Sequence, residues 1–184
     1  MHSTQANIIH TGEPSRSALR VAALRAVHQL LDKPIVFDDP MALPILGPQL
    51  ADTVREDPFQ FNDPLSRGMR GALIVRSKLA EDELALAVQA GVKQYVVLGA
   101  GLDTFGLRNV HEDKGLRVYE VDHPSTQNWK KTILNDADIA APESMTFVAV
   151  DFEKDTLAEG LQRAGFRTDQ PAFFSWLGVT MYLT

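Results

Sequence analysis

Residues 94–103 read QYVVLGAGLD, and this stretch decides the fold of the chain. Its first five residues, Gln94–Leu98, form a near-continuous apolar run, which is typical of a strand buried on both faces. Gly99 and Gly101 follow directly, and glycines here let the backbone turn sharply and bring main-chain N–H groups to a ligand. A tight turn with a purely structural role explains the two glycines equally well.

Three more runs of the same kind follow along the chain. They are residues 117–121 (RVYEV), 146–150 (TFVAV) and 172–177 (AFFSWL). Helical patterns separate them at residues 123–135 and 155–164. Strands that alternate with helices predict β-α-β units, so we expect an α/β fold with a doubly wound parallel sheet.

The first part of the chain reads as a helical layer. Residues 15–31 carry apolar side chains at i, i+3 and i+4 spacing, with Ser15 or Ser17 as the N-terminal cap. Six of the 10 prolines fall within residues 32–66, which predicts short helices and turns there. A second long helix is expected over residues 65–89.

Composition excludes several classes of protein. The 184 residues are 45% hydrophobic and 23% charged, as in an ordinary globular protein, and none is cysteine, which rules out disulfides and thiolate metal sites. The net charge of −6 argues against a nucleic-acid partner, because phosphate binding needs a basic excess. The histidines lack metal-ligand spacing, so no metal is predicted. We expect no membrane span, no secretory signal and a cytoplasmic location.

Acidic residues follow the next two predicted strands. Asp122 lies 21 positions after Gly101, where a carboxylate can accept two hydrogen bonds from a ribose diol. Asp151 and Phe152 offer an acceptor and an aromatic face to an adenine ring. The alternatives are an exposed acid before Pro124 for Asp122 and a helix N-cap for Asp151. Because the carboxyl ends of parallel strands meet at one edge of a sheet, we predict an adenosine-containing cofactor there.

Two residues favour S-adenosyl-L-methionine over a dinucleotide. A dinucleotide fingerprint places glycine at position 104, where this chain has Thr104. Asp103 would set a negative charge where a pyrophosphate should lie, whereas the same charge suits an ammonium or sulfonium group. S-adenosyl-L-methionine carries both cations, a ribose and an adenine, but no phosphate. An NAD(P)-dependent oxidoreductase on a similar half-sheet is the alternative.

Six separated motifs then point to one family. They are PSRSALRVAALRAV (14–27), RSKLAED (76–82), QYVVLGAGLDTFGLR (94–108), YEVDHPSTQNWK (119–130), VAVDFEKDTL (148–157) and FFSWLGVTMYLT (173–184). The chain closely resembles the leucine carboxyl methyltransferase-like family of S-adenosyl-L-methionine-dependent methyltransferases, and within it a bacterial subgroup common in actinobacteria.

The resemblance implies a class I methyltransferase fold, which is a Rossmann-like, doubly wound parallel sheet with an N-terminal helical layer. It implies that residues 1–90 form the helical cap and that residues 91–184 form the S-adenosyl-L-methionine-binding half-domain. Strands 1–4 of a seven-stranded sheet are then present, so the sequence reads as truncated after strand 4. An exposed apolar face on strand 4 is expected as a result.

The resemblance also implies a set of cofactor-binding residues. Asp122 would hold the ribose hydroxyls, and Asp151 and Phe152 would flank the adenine. The loop with Gly99 and Gly101 would pass under the methionine portion.

Four other motif residues have separate interpretations. Arg76 is implied to pair with the cofactor's carboxylate, a task that suits the guanidinium fork, and a solvated helix residue is the alternative. Arg108 and Glu120 are expected to form a structural ion pair or to flank the site. Tyr182 is a candidate for contact with the methyl donor or acceptor, or for packing at the rim. The sequence identifies no catalytic base.

These features predict a methyltransferase that acts on an oxygen of a small molecule, with a carboxylate among the candidate acceptors. Methyl transfer is an in-line displacement, so the protein must position the acceptor and exclude water. An ionised carboxylate needs no general base. The alternatives are the nicotinamide-dependent oxidoreductase and a non-catalytic remnant or subunit. The acceptor and the oligomeric state do not follow from the sequence.

Overall fold

The computed structural model describes residues 15–152 and 154–178. This part of the chain folds into a four-stranded sheet with flanking helices. The helices are α1 (Arg16–Leu31), α2 (Pro48–Glu56), α3 (Pro64–Gln89), α4 (Pro124–Asp136) and α5 (Leu157–Arg163), and the strands are β1 (Gln94–Leu98), β2 (Arg117–Asp122), β3 (Met145–Ala149) and β4 (Phe173–Trp176).

The sheet is parallel throughout, with the strand order β3-β2-β1-β4. The chain runs outward from β1 to β3 and then returns to place β4 on the free side of β1. The strand order therefore switches between β1 and β4, which is where ligands bind in sheets of this kind. The predicted Rossmann-like α/β fold is confirmed.

The predicted element boundaries agree with the structure to within one or two residues. Ser15, one of the two predicted caps, is the N-cap of α1. Its side chain accepts a hydrogen bond from Ala18 N at 3.3 Å. The proline-rich segment folds into α2 and short 3-10 turns, as predicted. The N-cap of α5 is Thr156, which forms a capping box with Glu159. The interpretation of Asp151 as that N-cap is therefore wrong.

Apolar clusters cover both faces of β1. Tyr95 and Val97 pack with α3 through Leu84, whereas Val96 belongs to the cluster that includes Leu161 of α5. A further cluster joins α1 and α4 to residues 42–54. Burial on both faces is what the apolar run predicted for β1.

Strand β4 differs from β1 because one of its faces is open. Phe174 and Trp176 are 47% and 50% exposed, while Ser175 between them is buried. The expectation that β4 is buried on both faces is wrong for the described residues, and the expected exposed apolar face on β4 is confirmed. Among the described residues, no helix is long and apolar enough to span a bilayer.

Two helical glycines give a matched test of the packing between α5 and β3. A Cβ added at Gly160 would overlap Cγ2 of Val150, a stiff side chain at the end of β3, whereas a Cβ added at Gly68 in α3 would meet no atom within 4 Å. We expect Gly160→Ala to lower the free energy of unfolding by about 1–2 kcal/mol through overpacking. Gly68→Ala should raise it by up to about 1 kcal/mol through helix propensity. Chemical denaturation measures both, and equal effects of the two variants would contradict the packing of α5.

Candidate functional site

A cavity of about 250 Å³ lies at the carboxyl ends of β1 and β2, beside the first turns of α1. Four of the predicted site residues line it. They are Arg76, Gly99, Gly101 and Asp122. Residues at the start and in the middle of α1, in the loop after β1, in α4, in β4 and just after β4 complete the wall. These include Ser15, Ala18, Val21, Arg25, Asp103, Thr126, Ser175 and Leu177.

The loop after β1 needs glycine at two positions. Gly99 and Gly101 have φ angles of 65° and 51°, a region that side chains other than glycine rarely adopt. A Cβ added at Gly101 would also lie only 3.1 Å from Cβ of Ala18 in α1. The turn can therefore pass close beneath α1, and it exposes main-chain groups to the cavity.

Asp122 ends β2 and holds this loop in place. Its Oδ2 accepts a hydrogen bond from Gly101 N at 2.6 Å, and its Oδ1 accepts one from His123 N at 2.7 Å. Burial raises the pKa of Asp122 above its ordinary value, against the opposing effect of these hydrogen bonds. The side chain is partly buried in the cavity wall, so its interpretation as an exposed acid is wrong.

Asp151 and Phe152 lie at the same edge of the sheet but do not line the cavity. Oδ2 of Asp151 is 3.9 Å from Nε2 of His123, which does line it, and 2.5 Å from Nζ of Lys154. Phe152 is 54% exposed. Asp151, just after β3, therefore lies close to the residue that follows Asp122, and the predicted role of Asp151 and Phe152 beside an adenine stays a prediction.

Arg76 reaches the cavity from the middle of α3. Within the described residues its half-buried guanidinium has no hydrogen-bond or ion-pair partner, and its buried Nε is unsatisfied. A Cβ added at Gly178 would lie 2.7 Å from Nη1 of Arg76, so the chain after β4 passes very close to the guanidinium. Burial, and then the charge of Arg25, lower the pKa of Arg76. Its predicted pairing with a carboxylate stays a prediction.

Arg25 of α1 lines the cavity but was not identified from the sequence. Its side chain is buried against the loop after β1. Its Nη2 donates hydrogen bonds to Oδ2 of Asp39 and to Oγ1 of Thr104. The hydroxyl of Thr104 in turn donates to Oδ2 of Asp39 at 2.7 Å. Position 104, where a dinucleotide fingerprint has glycine, is thus a buried link between the helical layer and the sheet.

The ion pair between Arg25 and Asp39 is almost completely buried. The side chains of Arg25 and Asp39 are 6% and 0% exposed. Burial alone would raise the pKa of Asp39, but the guanidiniums of Arg25 and Arg108 lower it overall. The signal that could have revealed this pair is an arginine on the apolar face of α1, between Ala22 and Ala26.

Arg108 and Glu120 do form ion pairs, but with partners that the sequence did not suggest. Nη1 of Arg108 donates to Oε2 of Glu81 at 2.9 Å, and its Nε is 3.3 Å from Oδ1 of Asp39. Glu120 pairs with Lys130 at 2.5 Å, with both side chains 1% exposed, and burial raises the pKa of Glu120 to about 7. Arg108 and Glu120 therefore do not form an ion pair with each other. Each belongs to a structural ion pair next to the loop that follows β1.

Two further predictions concern Tyr182 and metals. Tyr182 lies outside the described residues, so its contact with a methyl donor or acceptor stays a prediction. In residues 15–152 and 154–178, no group of three or more His, Cys, Asp or Glu side chains could hold a metal ion.

The parallel sheet, the glycine turn after β1 and the acid that ends β2 define a Rossmann-like protein with a cleft at its switch point. A family model described as leucine carboxyl methyltransferase matches residues 18–184. The chain belongs to the leucine carboxyl methyltransferase family, which confirms the resemblance drawn from the six motifs.

Bacterial relatives carry closely similar sequences. A protein of Bacillus subtilis (strain 168) named "Putative S-adenosyl-L-methionine-dependent methyltransferase YktD" is 33% identical over 192 residues, which cover 94% of this chain and 63% of that protein. Proteins of Mycobacterium marinum (strain ATCC BAA-535 / M) and Mycobacterium avium (strain 104) with the same descriptive name are each 32% identical over 91% of this chain. These matches cover 56% and 57% of the mycobacterial proteins, so the chain spans little more than half of their length.

Removal of the Asp39 carboxylate tests the buried link. Asp39→Asn leaves the guanidiniums of Arg25 and Arg108 buried without their shared counter-ion, so we expect a loss of about 3–5 kcal/mol in the free energy of unfolding. The control Asp52→Asn removes an exposed ion pair with Arg55 and should change that free energy by less than about 1 kcal/mol.

The effect of Asp39→Asn on the free energy of unfolding should depend on pH. The pKa of Asp39 in the folded chain lies below its ordinary value of 3.8, so the carboxylate stabilises the fold above that value and loses this effect as the pH falls through the folded pKa. Denaturation of wild type and Asp39→Asn at several pH values should show a constant difference near neutrality that shrinks below about pH 4. A difference that grows on acidification would contradict the buried ion pair.

Proposed function

We propose that this chain is the cofactor-binding part of an S-adenosyl-L-methionine-dependent methyltransferase that transfers a methyl group to an oxygen of a small molecule. The observation that carries the proposal is that Arg76 and Asp122, one cation and one acid, line the same cavity as the glycine turn. A cytoplasmic location and a small-molecule acceptor are part of the proposal.

The chemistry of the cavity wall fits this cofactor. Arg76, whose guanidinium has no partner among residues 15–152 and 154–178, offers it to a carboxylate, a pairing that its fork geometry favours. Asp122 offers carboxylate oxygens to the two ribose hydroxyls. Asp103 adds a second negative charge to the wall, which suits a cationic ligand and disfavours the pyrophosphate of a dinucleotide.

The adenine ring would then lie toward Asp151 and Phe152. Both residues follow β3, the strand next to β2, and His123 lies between Asp122 and Asp151. The exposed ring of Phe152 can cover an adenine face, and burying it would remove apolar surface from water. This direction extends the site beyond the cavity wall, along the edge of the sheet.

When bound, S-adenosyl-L-methionine supplies an electrophilic methyl group on its sulfonium. The residues of this chain bind and orient it, and α1 shields the cleft from water. The family description names a leucine carboxyl group as the acceptor, which supports a carboxylate oxygen here. A carboxylate is ionised at neutral pH, so it needs positioning rather than deprotonation.

Calorimetric titration with S-adenosyl-L-homocysteine, the demethylated product, tests the proposal. The chain should bind this ligand and should not bind NADH. Asp122→Asn removes a charged acceptor for the ribose hydroxyls and should weaken binding by about tenfold or more. The control Asp113→Asn changes an exposed acid far from the cavity wall and should leave affinity unchanged.

Thermal melts of both variants separate a binding defect from a folding defect. Binding of NADH without binding of S-adenosyl-L-homocysteine would favour the oxidoreductase and overturn the proposal. Equal affinities for the wild type and Asp122→Asn would remove Asp122 from the site.

A further inference from the structure

We propose that the Asp103 carboxylate binds the α-ammonium group of the ligand's amino-acid portion. This inference rests on the proposed function, because it assigns one more contact within the same cavity. It divides the cavity wall into an acid that holds the ammonium, Asp103, and a cation that holds the carboxylate, Arg76.

Asp103 presents one carboxylate oxygen, Oδ2, that can accept a hydrogen bond from a ligand at the cavity wall. Its side chain is 30% exposed and lines the cavity. Oδ1 accepts a hydrogen bond from Phe105 N at 2.8 Å, whereas the nearest cationic atom to Oδ2 is Nη1 of Arg25 at 3.8 Å, which is beyond hydrogen-bond distance. Oδ2 therefore keeps its capacity to accept from a ligand N–H.

The backbone of Asp103 is also fixed before any ligand binds. Its N–H donates to the carbonyl oxygen of Ala100 at 2.7 Å, and its carbonyl oxygen accepts from Nζ of Lys130 at 2.5 Å. Lys130 is itself held by the buried carboxylate of Glu120. With the Phe105 hydrogen bond, three contacts set the position of the carboxylate, and such preorganisation lowers the entropic cost of binding.

The charges around the cavity leave Asp103 as the acid available to a cation. Asp122 accepts hydrogen bonds from Gly101 N and His123 N, and the proposed function assigns its remaining acceptor capacity to the ribose hydroxyls. Arg25 is paired with Asp39 and cannot fully satisfy Asp103.

The cavity wall carries charges of opposite sign at Arg76 and Asp103. Arg25 is 3.8 Å from Asp103, and its charge also lowers the pKa of Arg76, after the larger effect of burial. Arg25, Arg76 and Asp103 all line the same cavity. An α-amino acid carries its ammonium and carboxylate on one carbon, so a ligand of this kind can contact both residues at once.

Titration with matched ligands tests the inference on the 184-residue chain. S-adenosyl-L-homocysteine carries the ammonium, whereas 5′-methylthioadenosine lacks the whole amino-acid portion. We expect Asp103→Asn, which keeps an acceptor for Phe105 N, to weaken S-adenosyl-L-homocysteine binding by about tenfold or more and to change 5′-methylthioadenosine binding by less than about twofold. Asp113→Asn is the matched control and should alter neither.

Two results would overturn the inference while the proposed function stands. If Asp103→Asn weakens both ligands equally, Asp103 only shapes the loop; if it weakens neither, Asp103 does not contact the ligand. In both cases the wild type still binds S-adenosyl-L-homocysteine. Failure of the wild type to bind either ligand would instead overturn the proposed function, and the inference with it.

A ligand-side measurement covers the case in which Asp103→Asn does not fold. The deaminated analogue of S-adenosyl-L-homocysteine keeps the carboxylate and lacks the ammonium. The wild type should bind it about tenfold or more weakly than S-adenosyl-L-homocysteine, because the charged contact is lost. Equal affinities for the two ligands would contradict an ammonium contact at Asp103.

Discussion

A buried ion pair sets the relation between the helical layer and the sheet. Arg25 of α1 contacts Asp39 and, through the same guanidinium nitrogen, the hydroxyl of Thr104 after the glycine turn. Because the pair is buried, loss of Asp39 would leave the guanidinium of Arg25 poorly compensated, which favours keeping the two segments together. Arg25 also lines the cavity beside the glycine turn. The proposed ligand site and the stability of the fold therefore share this residue.

The residues around the cleft divide into supporting and available charges. Arg108, Glu81, Glu120 and Lys130 are paired with one another beneath the loop, in two separate ion pairs. At the cavity wall, Arg76 has no hydrogen-bond or ion-pair partner among the described residues, and the carboxylate of Asp103 has only a long ion pair of 3.8 Å with Arg25. In the proposed function, the paired charges support the loop and the remaining two hold a zwitterionic ligand. Strand β4, on the other side of the switch point, has one open apolar face.

Local patterns predicted most of the fold and the centre of the site. The apolar runs marked the strands to within a residue, and the glycines and Asp122 could be placed because parallel strands bring their carboxyl ends together. The contacts of Arg25 could not be predicted, because it meets Thr104 across 79 positions of sequence. The partners of Arg108 and Glu120 were missed for the same reason, since which buried charges pair depends on how helices pack on the sheet.

A crystal structure of the chain with S-adenosyl-L-homocysteine tests the central claim most directly. The account predicts that the ligand lies beneath α1, with its ribose hydroxyls within hydrogen-bond distance of Asp122 and its carboxylate at Arg76. The adenine should lie toward Phe152. A ligand bound elsewhere on the chain, or one bound here in the opposite direction with the adenine at Arg76, would contradict it.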